Sequence, residues 1–253
     1  MSNNLNTIAE QLFKATHDKK VCDLNFTHLT TQQAYEVQDA LLELNKLTFN
    51  DIGCWKLGAA NIEQTPICAP IYPSLVFRND DTINVNNFIN LSVELEWGYY
   101  LIQDIHLSEF ENKAFDEIMF SDPIVCFELV DSRLDNINAL TSSEKLADNQ
   151  LNAGIVISEK LNKKYIHHAK NIEHELMMDH KLIFSNKGGH PLVEPSYMLK
   201  NGLSVLLNRV KKLKKGTLIL TGSFNGMHEV GHHKTVFANF NKDSNVQFHL
   251  EVK

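Results

Sequence analysis

The stretch Pro123-Ile124-Val125-Cys126-Phe127-Glu128-Leu129-Val130 is a nearly continuous apolar run, of the kind that suits a strand buried on both faces. It carries one carboxylate, Glu128. An ionised carboxylate in such a strand is costly unless something positive sits beside it. A second stretch, Ser92 to Tyr100, reads with a period of two. Val93, Leu95, Trp97 and Tyr99 fall on one face, and Glu94, Glu96, Gly98 and Tyr100 on the other. The apolar face packs into a core, and the opposite face presents two carboxylates about 7 Å apart along the strand. Taken alone, that pair fits the wet face of an antiparallel strand better than it fits a metal site. Glu128 shifts the balance, because its neighbours leave it little access to water. If the two strands are neighbours, three glutamates converge on a hard divalent cation, whose preferred ligands are oxygens. The sequence does not itself show that the strands touch.

The rest of the chain divides in texture near Asp51. Before it, Leu5, Ile8, Ala9, Leu12 and Phe13 recur at helical spacing. A second helix is predicted from Thr30, with Gln33 as its capping-box partner, through Ala34, Val37, Leu41 and Leu44. After it come short apolar runs broken by Gly, Pro and Asn. Strands are predicted at Ile52–Leu57, Leu75–Phe77, Thr82–Val85, Ala153–Ser158, Leu218–Leu220 and Val246–Val252. A turn is expected at Asn79–Asp81, and a hairpin about Asp179-His180. Short helices are expected at Phe115–Phe120 and Leu140–Ala147. A longer one begins near Pro195 beside Glu194, with Met198, Leu199, Leu206, Leu207, Val210 and Leu213 as its apolar stripe. The basic cluster Lys211-Lys212-Leu213-Lys214-Lys215 reads as the charged last turn of that helix, closed by Gly216. Many strands with few helices between them argue for an α+β fold, organised as one domain over 1–253 with a helical segment 1–50 and a β-rich core 51–253.

Several function classes are excluded on composition. A net charge of -7 argues against a nucleic-acid footprint. The cysteines Cys22, Cys54, Cys68 and Cys126 show neither a zinc-ribbon nor a disulfide spacing. The first residues lack a signal-peptide pattern and no run is long enough to span a membrane, so the expectation is a soluble cytoplasmic protein. His228-Glu229-Val230-Gly231-His232 matches the H-E-x-x-H zinc-peptidase signature. That chemistry requires a helix to put both histidines on one face. Gly222, Gly226 and Gly231 crowd the stretch, which reads first as a polar glycine-rich loop after a strand, with a zinc peptidase built on His228, Glu229 and His232 kept as the rival reading.

Taken in order, six pieces of the chain resemble the fumarylacetoacetate hydrolase superfamily, and within it the 2-keto-4-pentenoate hydratase and 4-oxalocrotonate decarboxylase branch. They are Trp55-Lys56-Leu57-Gly58, Val93-Glu94-Leu95-Glu96, Phe127-Glu128-Leu129-Val130-Asp131-Ser132-Arg133, Leu146-Ala147-Asp148-Asn149, Gly189-His190-Pro191 and Gly216-Thr217-Leu218-Ile219-Leu220-Thr221-Gly222. The resemblance implies a mixed β-roll with surrounding helices and a Mg²⁺ or Mn²⁺ ion held by Glu94, Glu96 and Glu128. It implies that Lys56 contacts the substrate and moves protons, its pKa lowered by a nearby cation or by burial, and that Asp148 and Asn149 line or support the pocket. It further implies a homo-oligomer acting on a small 2-oxo acid, with hydration of a 2-hydroxy-dienoate or 2-oxo-enoate as the leading reaction. Decarboxylation of a 2-oxo diacid is the close alternative. The chain departs from the branch at Thr65–Pro70, a short loop without the aspartate of the usual Pro-Asp-x-Gly segment, which keeps a non-catalytic metal-binding relative open. It departs from the superfamily's hydrolases at Asn149, where they tend to carry a lysine.

Overall fold

The two glutamate-bearing stretches become neighbouring strands. In the computed structural model, which describes residues 5–24, 28–110, 119–160, 169–190 and 195–252, the first is β5 (Ser92–Tyr100) and the second β7 (Ile124–Val130). They pair antiparallel with Glu94 directly opposite Glu128. β7 is buried along its whole length, as a continuous apolar run requires.

These two strands form the middle of a large mixed sheet. On one side, β5 pairs with β12 (Leu218–Ser223), which runs parallel to β1 (Cys54–Gly58), itself paired with β2 (Ile67–Ile71). On the other, β7 pairs with β8 (Asn152–Lys160), and β8 with the short parallel strand β3 (Val76–Arg78). The sheet curls until β2 meets β8, giving a roll with an inside and an outside. Strand alternation sorts the side chains between them. Cys54, Ile71, Cys126, Ile155, Leu218 and Leu220 cluster inside the roll, on the same strand faces as Lys56, Glu96 and Glu128.

The outer face carries Val93, Leu95, Trp97, Val125 and Phe127, and it packs on a second sheet. That sheet orders β10 (Lys181–Lys187), β9 (Glu173–Met178), β14 (Thr235–Phe240), β15 (Ser244–Glu251) and β4 (Thr82–Asn84). Aromatic rings fill the interface, with Phe127 against Phe248 and Trp97 against both Phe224 and Phe240 at centroid separations of 4.8–5.7 Å. The expected hairpin about Asp179-His180 joins β9 to β10, with both turn residues at positive φ as a two-residue turn demands. The turn at Asn79–Asp81 joins no hairpin. It carries the chain from β3 in the first sheet to β4 in the second.

Helices close the outside. α1 (Leu5–Asp18) packs on α2 (Thr31–Leu44), and α2 on α4 (Ser142–Ala147). The predicted capping box of α2 is present, Gln33 donating its backbone N–H to Thr30 Oγ1 and accepting from the Thr30 N–H. α5 (Pro195–Val210) lies across β1, β2 and β12. Its Gly202 approaches Leu57 so closely that an added Cβ would sit 2.7 Å from Leu57 Cδ1.

The lysine cluster is a correction. α5 ends at Val210, Lys211 turns left-handed at φ 67°, and Lys212–Leu213 form the strand β11 against β6 (Ile105–His106). The one-turn helix α3 (Leu107–Phe110) follows β6. Lys212 pairs with Asp104 beside the β-bridge, whereas Lys211 Nζ donates to the Asn208 carbonyl in the last turn of α5, so only Lys211 of these two charges serves the helix end. Most of the helix expected at Phe115–Phe120, and Glu194 before α5, lie outside the described residues. Among the described residues no helix is long and apolar enough to cross a membrane.

One close approach fixes the sheet edge beside the glutamates. Gly154 on β8 sits at φ 142°, and a Cβ there would lie 2.8 Å from the Leu75 carbonyl oxygen. Gly154→Ala should therefore destabilise the protein by about 1–3 kcal/mol, read as a lower denaturation midpoint in urea. An unchanged midpoint would contradict the packing described.

Candidate active site

Lys56 enters the roll from β1, between its partners Ala69 on β2 and Leu220 on β12. Glu94 and Glu96 enter from β5 and Glu128 from β7. The three carboxylates each bring an oxygen within 4.8 Å of the others, and among the described residues no other group of three such side chains converges in this way. Glu96 and Glu128 are fully buried, Glu94 half-buried. The wet-face alternative for the pair on β5 therefore does not hold.

The hydrogen bonding of the cluster is incomplete in a specific way. Glu128 Oε1 accepts from Lys56 Nζ at 2.7 Å and from Asn152 Nδ2 at 2.9 Å. Glu96 Oε2 accepts from the Gly222 N–H at 3.0 Å. The second oxygens, Glu96 Oε1 and Glu128 Oε2, are buried without a donor as long as both groups are ionised. Orphaned anionic oxygens facing one another are what a hard cation would satisfy. The donor set is all oxygen, which suits Mg²⁺, Mn²⁺ or Ca²⁺ rather than a thiolate-seeking metal.

One positive charge faces this cluster. Burial alone would lower the Lys56 pKa, but Glu128, Glu94 and Glu96 together hold it above the ordinary lysine value. Among the protein's own groups the expectation of a lowered lysine is thus reversed, since oppositely charged carboxylates that outnumber the ammonium favour its charged form.

Asp148 and Asn149 serve a different face. Asp148 accepts from the backbone N–H and the guanidinium Nε of Arg133, and Arg133 also reaches the Asp148 and Asn152 carbonyls. Burial raises the Asp148 carboxyl to about 6 despite that partner. Asn149 Nδ2 donates to Tyr72 Oη at 3.0 Å. Both residues line a cavity of about 350 Å³ beneath α1, and none of the three glutamates lines it. What ties this segment to the carboxylates is the Gln150 backbone together with the side chain of Asn152, which lines the same cavity and donates to Glu128. Asn149, Gln150 and Leu151 are successively left-handed, with φ of 49°, 53° and 62°, and the Gln150 carbonyl accepts from Lys56 Nζ at 3.2 Å.

Three contacts were not anticipated from the sequence. Asn152 and Gly222 each hold a glutamate oxygen, and the Gln150 carbonyl holds the lysine. Gly222 lies inside a quoted motif, but its role needs the β12–β5 irregularity that turns its N–H toward Glu96. His190, from the Gly-His-Pro piece, is buried beside Gly222 and donates Nε2–H to the Thr221 carbonyl at 2.8 Å. Burial lowers its pKa to about 4, so it stands neutral. The H-E-x-x-H residues do not assemble. His228 and Glu229 form the two-residue strand β13 against β5, where successive side chains point to opposite faces, and His232 lies in a turn.

Burial, and then the charge of Glu128, push the Glu96 carboxyl well above the usual range. For a carboxyl raised in the folded state, the stabilising contribution is complete below its unfolded value near 4.5 and is lost as pH rises through the folded one. Chelator-treated wild type should therefore lose stability relative to Glu96→Gln as pH rises from acid to neutral. At neutral pH the variant should be more stable by about 1–4 kcal/mol in denaturant unfolding. Parallel stability–pH curves for the two proteins would contradict the assigned electrostatics.

No protein-family model matches the sequence, and a comparison with curated proteins finds no match. Solved structures do match. 4-Oxalocrotonate decarboxylase from Pseudomonas putida G7, complexed with magnesium and adipate, superposes with a TM-score of 0.82 at 16% identity, over 98% of this chain and 97% of that one. Fumarylpyruvate hydrolase from Pseudomonas aeruginosa, in complex with Mn²⁺ and pyruvate, gives 0.52 at 12% identity over 79% and 89%. A Yersinia pestis CO92 structure placed in the fumarylacetoacetate hydrolase family gives 0.53 at 13% identity over 78% and 91%. The chain has the fold of the fumarylacetoacetate hydrolase superfamily, and the likeness to the Pseudomonas putida structure extends over nearly the whole length of both chains.

Proposed function

We propose that the chain is a metal-dependent lyase of small 2-oxo acids, adding water to a 2-hydroxy-dienoate or 2-oxo-enoate. The observation that carries this reading is the trio Glu94, Glu96 and Glu128, with two orphaned buried oxygens, beside Lys56 in a roll of this fold. The three glutamates would hold Mg²⁺ or Mn²⁺. When bound, the cation supplies Lewis acidity to the 2-oxo acid head and offsets the carboxylate charge that otherwise keeps Lys56 protonated. Lys56 Nζ, fixed between Glu128 Oε1 and the Gln150 carbonyl, holds the proton that is delivered to or taken from the substrate's carbon chain. Asn152 and Gly222 orient the glutamates, and the apolar interior formed by Cys54, Cys126, Leu218 and Leu220 excludes water behind them. Neither step calls on Asp148, whose ion pair with Arg133 sets the shape of the 148–152 segment.

Decarboxylation of a 2-oxo diacid is a second reading, favoured by the whole-chain match to 4-oxalocrotonate decarboxylase. The two reactions share enolisation of a 2-oxo acid, so one substrate panel separates them. With saturating Mg²⁺ or Mn²⁺, 2-hydroxypenta-2,4-dienoate should lose its dienol absorbance. CO₂ release from 4-oxalocrotonate would instead favour the decarboxylase, and turnover of neither would count against both.

Two variant series test the roles. Glu94→Gln, Glu96→Gln and Glu128→Gln should each weaken Mg²⁺ or Mn²⁺ binding at least about tenfold in calorimetric titration, since each loses an anionic ligand. Wild-type affinity in all three would remove the site. Lys56→Met should bind metal normally and lose about 100-fold or more in kcat, the scale of a positioned proton-transfer group. A kcat within a few-fold of wild type would take the lysine out of the chemistry.

A further inference from the structure

Gln150 combines features that the carboxylate site by itself does not require. It occupies the segment that crosses from α4 to β8 over the end of the roll where Lys56 reaches Glu128. Its side chain is buried, with 8% of the residue exposed. Its Oε1 lies 2.6 Å from where a Cβ on Gly58 would stand, an approach that only glycine at that position permits. Gly58 is two residues beyond Lys56 on the same face of β1, about 7 Å further along the wall. The carboxamide is thus held against the wall on which Lys56 stands, one step past it. Its Nε2 is buried and has no hydrogen-bond partner among the described residues. The backbone that places it is left-handed at a non-glycine residue, flanked by two more, which is the kind of conformation that persists where surrounding structure enforces it.

A buried amide N–H without an acceptor is unfavourable, and its cost falls away when a ligand supplies one. We propose that Gln150 is a specificity-determining residue, whose Nε2–H donates to an oxygen on the substrate chain beyond the 2-oxo acid head. The site then prefers 2-oxo acids that end in a carboxylate or carbonyl over those that end in a methyl group. Nε2 can only donate, so the selected group must be an acceptor. This assignment rests on the 2-oxo acid reading of the same roll.

The test is calorimetric binding to the full chain loaded with Mg²⁺, using three probes: oxalate, 2-oxoadipate and 2-oxohexanoate. Oxalate carries only the head group, and the other two differ only in their terminus. Wild type should bind 2-oxoadipate about tenfold or more tighter than 2-oxohexanoate, the scale of one hydrogen bond to a charged group. Gln150→Leu should reduce that preference to about twofold or less while oxalate affinity and thermal midpoint stay at wild-type values. Gln150→Glu, of the same size but with an acceptor in place of the donor, should reverse the preference and serves if the leucine variant does not fold. A preference retained in Gln150→Leu, or absent in wild type that binds oxalate, would overturn the assignment of Gln150. Failure of wild type to bind oxalate would overturn the 2-oxo acid reading beneath it, and this assignment with it.

Discussion

Three carboxylates share the inside of one rolled sheet with a single ammonium, and much of the local structure answers to that imbalance. Glu94 and Glu128 face each other across paired strands, Glu96 lies one alternation along, and Lys56 Nζ spans the gap to Glu128. Without further positive charge, burial raises Glu94 and Glu96 toward protonation and the carboxylates raise Lys56. Such an arrangement is a poor source of stability by itself. It is well suited to receive a dication and an anionic ligand together, because the surplus charge is already desolvated and positioned.

The surrounding fold makes that positioning rigid. β7 is covered on both sides, by the apolar interior of the roll and by the aromatic layer against the second sheet, so Glu128 cannot swing out to water. The capping segment 148–152 is held from below by the Arg133–Asp148 pair and from the side by Asn149 on Tyr72. That hold is what keeps three consecutive residues left-handed and turns the Gln150 carbonyl toward Lys56. A small shift in this segment would move the lysine and the Asn152 contact to Glu128 together.

Much of this was legible in the sequence, and the exceptions have physical reasons. The period-two pattern of Ser92–Tyr100 and the unbroken apolar run Ile124–Val130 are strong signals, so strand identity, facing and the three glutamates could be read directly. Their adjacency is a long-range fact that no local pattern encodes, and it came only through the ordered motifs. The Thr30–Gln33 capping box and the Asp179-His180 turn were legible because both are local chemistry. The lysines after Val210 were misread because a charged run at a helix end looks the same whether the helix continues or a left-handed residue stops it. Gln150 and Asn152 were missed for a related reason: a polar amide before a strand reads as an ordinary turn residue. Only the closed roll shows that their polar atoms meet Lys56 and Glu128.

The central claim is that Glu94, Glu96 and Glu128 form one cation site. Anomalous diffraction from crystals equilibrated with Mn²⁺ tests it most directly. The account predicts a single strong peak among the three carboxylates, with an oxygen of each at about 2.0–2.3 Å, a span set by the distances known for hard divalent cations. A peak at His228 and His232, or no peak among the glutamates at saturating Mn²⁺, would contradict it.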